Sequence, residues 1–272
     1  MAKKVGFIGL GMMGKPMAKC ILKAGFPLTV FDAVPAPVEE MRGLGAAVAS
    51  SPKEVARASD IVITMVRDDA QTQQIVLDKS GVLEGAKAGS AIILMSTLSP
   101  LFCQRVAAEA SKKGVGVLDA PVSGSAPAAE AGTLAIMVGG KEELLKECRP
   151  VLEAMGKNIF YFGNVGMGEA AKLANNTIVL VNIFAATEGL ALGVKAGIDI
   201  KRLLEMIKVS TGNSWVIERW DLIAGLKKSY KPGATMDIMY KDMSLALKLA
   251  KELNVDMPLA NLATKLDVGR LP

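Results

Sequence analysis

The run Val5-Gly-Phe-Ile-Gly-Leu-Gly-Met-Met-Gly-Lys-Pro-Met places Gly9, Gly11 and Gly14 between a short apolar stretch and a helical one. A GxGxxG pattern is weak by itself; following a strand and opening a helix, it has the setting that a dinucleotide pyrophosphate requires. Gly9 then permits the tight turn, Gly11 the close approach of backbone to phosphate, and Gly14 the close packing of helix on strand. Together with Leu10, Met12 and Met13 these glycines present backbone amides to an anion at a helix start. Asp32 closes the second apolar stretch, 18 residues beyond Gly14, where a carboxylate accepts hydrogen bonds from ribose hydroxyls. It would repel a 2′-phosphate, and Ala33 supplies no arginine to receive one, so the pattern points to NAD in preference to NADP. The alternative use of Asp32 is to cap the loop ahead of Pro35 and Pro37.

Other chemistries are excluded by composition. The chain of 272 residues contains no His, which removes a His-based triad, a His-ligated metal and a His proton shuttle. Cys20, Cys103 and Cys148 are too far apart for a CxxC site and odd in number, as in a reduced, cytoplasmic protein. No metal site is expected, and the methionines read as core fillers. A net charge of +5 spread along the chain is no nucleic-acid footprint, though it suits anionic small molecules. The opening apolar run is too short for a secretory signal. Leu173–Val194 is long and apolar, but Asn175, Asn176, Asn182 and Glu188 interrupt it, so a buried helix rather than a membrane span is expected.

These side chains need a scaffold, and the spacing of apolar residues supplies one. Strands are expected at Val5–Ile8, Leu28–Phe31, Ile61–Val66, Ala91–Met95, Val115–Leu118, Leu134–Val138 and Asn158–Tyr161. Helical patterns lie between them, among them Lys15–Ala24, Pro52–Ala58, Leu101–Lys112 and Glu142–Met155. Such alternation predicts a doubly wound parallel α/β sheet of the Rossmann kind, covered on both faces. After Gly163 the strand signal ends and helical periodicity runs to about Leu266. The expected domains are therefore a nucleotide-binding 1–163 and an all-α 164–272, with breaks near Gly197, Ser210 and Lys231-Pro-Gly.

Four segments, in order, resemble the β-hydroxyacid dehydrogenase family. They are Gly9-Leu-Gly-Met-Met-Gly-Lys-Pro-Met-Ala, Asp119-Ala-Pro-Val-Ser-Gly, Gly166-Met-Gly-Glu-Ala-Ala-Lys-Leu-Ala-Asn-Asn and Lys241-Asp-Met-Ser-Leu-Ala. The resemblance implies an NAD-dependent oxidoreductase that interconverts a small β-hydroxy acid and its semialdehyde, with substrate between two domains. It makes Lys172 the proton donor and acceptor, a role a lysine can fill where no His exists. Asn176, one helical turn on, would orient substrate. Ser123 and Gly124 would hold the substrate carboxylate through a hydroxyl and backbone N–H groups. Lys241 would approach both cofactor and substrate, with Asp242 either positioning it or forming a surface ion pair. Met65 and Val66 match a loop flanking the cofactor, although the family has Pro where Arg67 stands. Thr97 matches a position near the nicotinamide ribose, and could also cap the helix before Pro100.

The chain departs from the family at Ser125, where most members have a second glycine, and ends short of the usual last helix. The Gly-Ser form resembles the glyoxylate and succinic semialdehyde reductase branch, which prefers NADP, in conflict with Asp32. That branch is the alternative enzyme, and a non-catalytic dinucleotide-binding module the alternative of another class. The family also implies a homodimer or homotetramer.

Overall fold

A computed structural model of the chain describes residues 2–228 and 235–266. The chain divides into two compact units, 1–172 and 173–272. In the first, β1 (Val5–Ile8), α1 (Gly14–Lys23), β2 (Leu28–Phe31), α2 (Pro35–Gly43), β3 (Ala47–Val48), α3 (Pro52–Ala58), β4 (Ile61–Thr64) and α4 (Asp69–Val76) follow one another. Then come α5 (Val82–Gly85), β5 (Ala91–Leu94), α6 (Pro100–Ser111), β6 (Gly116–Asp119), β7 (Val122–Ser123), α7 (Ser125–Ala131), β8 (Leu134–Gly140), α8 (Glu142–Glu153) and β9 (Gly156–Tyr161). Helix starts are set by local chemistry: Ser51 accepts from Glu54 N with Pro52 leading α3, and Asp68 accepts from Gln71 N at α4.

The strands lie in the order β3-β2-β1-β4-β5-β6-β8-β7, with β9 on β8. From β3 to β6 all neighbours are parallel. β1, β4 and β5 are buried along their whole length, as strands covered on both faces must be. Successive side chains point to opposite faces. Phe7, Ile63 and Ile93 pack with Met17 and Ile21 of α1 and Val151 of α8, while Ile8, Val62 and Ile92 pack with Val55 of α3 and Val106 of α6.

The parallel run ends at β6. β8 is antiparallel to β6 and β7 in one register, from Leu118 opposite Gly140 to Ser123 opposite Ala135. Pro121 has no N–H to give and divides what is otherwise one strand. The connection from Gly124 to Thr133 is too short for a parallel crossover, which needs a dozen or more residues, so β8 returns antiparallel.

The long helix α9 (Met167–Lys195) begins in the first unit and continues into the second. There follow α10 (Ile200–Lys208), α11 (Trp215–Glu218), α12 (Trp220–Lys228), α13 (Thr235–Leu253) and α14 (Pro258–Ala263). Leu173, Leu180 and Phe184 pack with Met243 of α13 and Ala260 and Ala263 of α14. Ile183 and Leu190 face another way along α9, toward Val216 and Ile217 of α11, Ile223 of α12 and Leu203 of α10. By length and composition α9 could cross a membrane. The sequence predicts a buried helix, but α9 is exposed in part: Ile178 and Leu192 are 62% and 75% exposed. Lys227 and Lys228 end α12. The break at Lys231-Pro-Gly and the run Asp267–Pro272 lie outside the described residues.

Candidate active site

The first group of candidate residues gathers at the carboxyl ends of the parallel strands, where open α/β sheets bind ligands. Gly9 follows β1 with φ +96°, and a Cβ on it would lie 2.3 Å from Met65 O. On Gly14 a Cβ would lie 1.9 Å from Gly9 O, whereas at Gly11 nothing stands within 4 Å. Two glycines are thus required by the turn itself, and the third leaves open space for something outside it. Helix α1 starts at Gly14 without a side-chain cap and without an acidic residue in its first turn. An uncapped start carries partial positive charge, so the donors present fit a pyrophosphate.

Asp32, at the end of β2, caps the following loop and is also tied to the glycine turn. Its Oδ2 accepts from Leu10 N at 2.5 Å, tying it to the glycine turn, and its Oδ1 accepts from Val34 N at 2.7 Å, capping the loop. A carboxylate has about four acceptor positions, so both bonds leave capacity for ribose hydroxyls. Met65 N donates to Ile8 O, and Val66 N donates to Ser96 Oγ at 2.8 Å, which sets this pair against Gly9. Thr97 is half-buried just beyond β5, but the N-cap of α6 is Ser99, so the capping role read for Thr97 is corrected.

Ser123 ends β7 and Gly124 follows with φ +133°. Ser125 has φ +60°, the left-handed region in which L side chains are strained, and its Oγ donates to Gly124 O at 2.5 Å. The glycine usual at this position in the family therefore has a backbone reason.

Lys172 lies on α9 and is only 8% exposed. The start of that helix is held from β6 by Asp119, which is fully buried. Asp119 Oδ1 accepts from Gly166 N at 2.7 Å and Oδ2 from Glu169 N at 2.9 Å. Burial pushes the Asp119 carboxyl above its ordinary range, while the amides of Gly166, Glu169 and Gly168 pull the other way.

In the second unit, Asp242 gathers two further candidates. It is 2% exposed; its Oδ2 accepts from Asn176 Nδ2 at 2.7 Å, and its Oδ1 lies 2.8 Å from Lys241 Nζ. The positioning role for Asp242 thus has its geometry, and a surface pair it is not. Because a carboxylate only accepts, the amide nitrogen of Asn176 must face it; Oδ1 of Asn176 takes the Asn175 Nδ2 donor at 3.0 Å. Sequence reasoning missed the bonds Asp119 makes and the Ser96 contact; the signal for Asp119 was an acid at a strand end in a motif otherwise read for its serine and glycine. Among the described residues no group of acidic or cysteine side chains could hold a metal.

Comparison with known proteins places the whole chain among dehydrogenases. The profile described as "NAD binding domain of 6-phosphogluconate dehydrogenase" matches residues 4–163, and "NAD-binding of NADP-dependent 3-hydroxyisobutyrate dehydrogenase" matches 166–267. The 2-(hydroxymethyl)glutarate dehydrogenase of Eubacterium barkeri is 39% identical over 98% of this chain and 88% of its own. The NAD-dependent L-serine dehydrogenase of Pseudomonas aeruginosa is 37% identical over 97% of this chain and 91% of its own. Among solved structures, Mycobacterium tuberculosis 3-hydroxyisobutyrate dehydrogenase with L-serine superposes with a TM-score of 0.89 at 33% identity, covering 100% of this chain and 98% of that one.

Proposed function

The chain belongs to the β-hydroxyacid dehydrogenase family, and from that premise we propose that it oxidises a small 3-hydroxy acid bearing its hydroxymethyl group next to the carboxylate-bearing carbon, with Lys172 moving the proton. That it is an NAD-dependent dehydrogenase follows from the family. What its relatives are named for supports this substrate class: 2-(hydroxymethyl)glutarate, L-serine and 3-hydroxyisobutyrate share a carboxylate and a hydroxymethyl group on one carbon and differ in the third substituent.

The observation that carries the mechanism is a nearly buried amine on a helix whose start is clamped to the sheet. NAD, when bound, supplies the hydride acceptor for oxidation. As a neutral amine, Lys172 Nζ accepts the hydroxyl proton while the C–O bond becomes C=O; as an ammonium it returns that proton in reduction. Asn176 has one Nδ2 hydrogen committed to Asp242 and a second for the substrate oxygen. The Ser123 hydroxyl and Gly124 N–H hold the carboxylate, and Lys241, kept in place by Asp242, adds positive charge toward substrate and cofactor. The turn residues Gly9 to Gly14, Asp32, Met65, Val66 and Thr97 hold NAD.

Ser125 supports a second reading, a glyoxylate or succinic semialdehyde reductase, against which Asp32 stands. Exposed Ile178, Leu192, Leu259 and Leu262 support self-association as a homodimer or homotetramer, and three free thiols suit the cytoplasm. Lys172→Ala should cut turnover by about a hundredfold or more while calorimetry still records NAD binding. Profiling C3–C5 hydroxy acids with both cofactors identifies the substrate; unchanged turnover in the variant removes Lys172 from the reaction.

A further inference from the structure

We propose that Asp119 is a positioning residue for Lys172, acting with Gly139 and Gly168 as a clamp that sets the height and rotation of α9 on the sheet; this rests on the reading of Lys172 above. Three observations meet at one place. The Asp119 carboxylate, fully buried at the end of β6, spans the first turn of α9 through Gly166 N and Glu169 N. Gly139 on β8 has no room for a side chain: a Cβ there would stand 2.5 Å from Asp119 Oδ1 and 2.9 Å from Gly168 N. Gly168 has none either, since its Cβ would stand 2.4 Å from Met137 O and 2.9 Å from Asp119 Oδ2. The helix backbone therefore lies flush on β8, with the Asp119 carboxylate against both glycines.

Gly168 and Lys172 are four residues apart, so they share one face of α9, separated by about 6 Å of rise. The Lys172 side chain springs from the turn directly after the clamped one. Segment 162–166 is tied down as well: Phe162 N donates to Val138 O at 2.8 Å and Gln104 Nε2 to Val165 O at 3.2 Å. A lysine has four rotatable bonds, and proton transfer needs its nitrogen within hydrogen-bond reach of one oxygen. Fixing the helix that carries it removes the first source of misplacement.

The test uses Asp119→Asn, which keeps the side-chain shape but turns a donor toward one of the two amides. With NAD and the best hydroxy acid, kcat should fall about tenfold or more while the Kd for NAD, read by calorimetry, stays within about twofold. The solvent deuterium isotope effect on kcat should also rise, because a displaced amine makes proton transfer slower relative to the other steps. A clamp that served folding alone would not move that isotope effect. Should Asp119→Asn fail to fold, Gly139→Ala presses on the same helix turn from the neighbouring strand and should give the same split. A folded variant with wild-type kcat and isotope effect overturns the clamp, as does a loss of kcat with the isotope effect unaltered. Lys172→Ala run in parallel separates the two failures: if it retains turnover, the reading of Lys172 fails; if it is inactive while Asp119→Asn is normal, only the clamp does.

Discussion

Asp32 does two jobs that pull its variants in different directions. One oxygen fixes the glycine turn through Leu10 N, and the other caps the loop through Val34 N. On the reading proposed above its negative charge discriminates against a 2′-phosphate, and charge survives neither Asp32→Ala nor Asp32→Asn. Both variants should lower the ratio of kcat/KM for NAD over NADP by about tenfold, roughly 1.4 kcal/mol. Asn retains an acceptor for one of the two amides, so it should lose less NAD affinity than Ala. Steady-state kinetics with both cofactors checks this; an unchanged ratio in both variants would remove Asp32 from ribose recognition. The glycine turn and Asp32 were legible because each needs only local spacing and a strand end. The bonds of Asp119 were not, since its partners begin 47 residues later and no local pattern says which strand end a distant helix will start against. Asp242 was half legible: its neighbour Lys241 is in the sequence, but Asn176 reaches it only through the packing of α9 on α13.

At the scale of elements, α7 shows what departure from a family pattern costs. It begins at Ser125 in the left-handed region, immediately after Gly124. An L side chain there is strained by about 1–2 kcal/mol, and glycine returns roughly half of the relief through its greater freedom when unfolded. Ser125→Gly should therefore stabilise the protein by about 0.5–1 kcal/mol, near 2 °C in Tm, measurable by calorimetry. A lower Tm would mean that the Ser125 hydroxyl bond to Gly124 O outweighs the strain. The same stretch marks where sequence reading stopped. β1 and β2 were recovered to the residue because both are short runs rich in β-branched and aromatic residues, the first ended by Gly9 and the second opened after Pro27. β7 and α7 were not among the expected elements, because Pro121, Gly124 and Pro127 interrupt any apolar period there. β3, two residues long and partly exposed, carries no pattern. The antiparallel return of β8 depends on connection length rather than on its own apolar residues.

Over the whole molecule, the three thiols offer a measure of how the first unit opens. Cys20, Cys103 and Cys148 all lie within 1–172, on α1, α6 and α8. Cys103 and Cys148 are buried on opposite faces of the sheet. Burial raises the Cys103 thiol well above its usual range and pushes Cys148 up to about 12, so neither supplies thiolate in the native state at pH 8. Cys20 is half-buried and its thiol is raised too, chiefly by burial, so it should be alkylated first. Reaction at the other two requires opening, and helices on both faces share one set of strands, so a single cooperative event should expose both. Iodoacetamide at pH 8 should then label Cys103 and Cys148 at equal rates. NAD binds only the closed unit, so at 100 times its Kd it should slow both by about a hundredfold. Peptide mass spectrometry reads each site separately. If NAD protects one thiol and not the other, the two faces open independently, and the sheet is not the cooperative platform on which a clamped α9 could hold Lys172 in place.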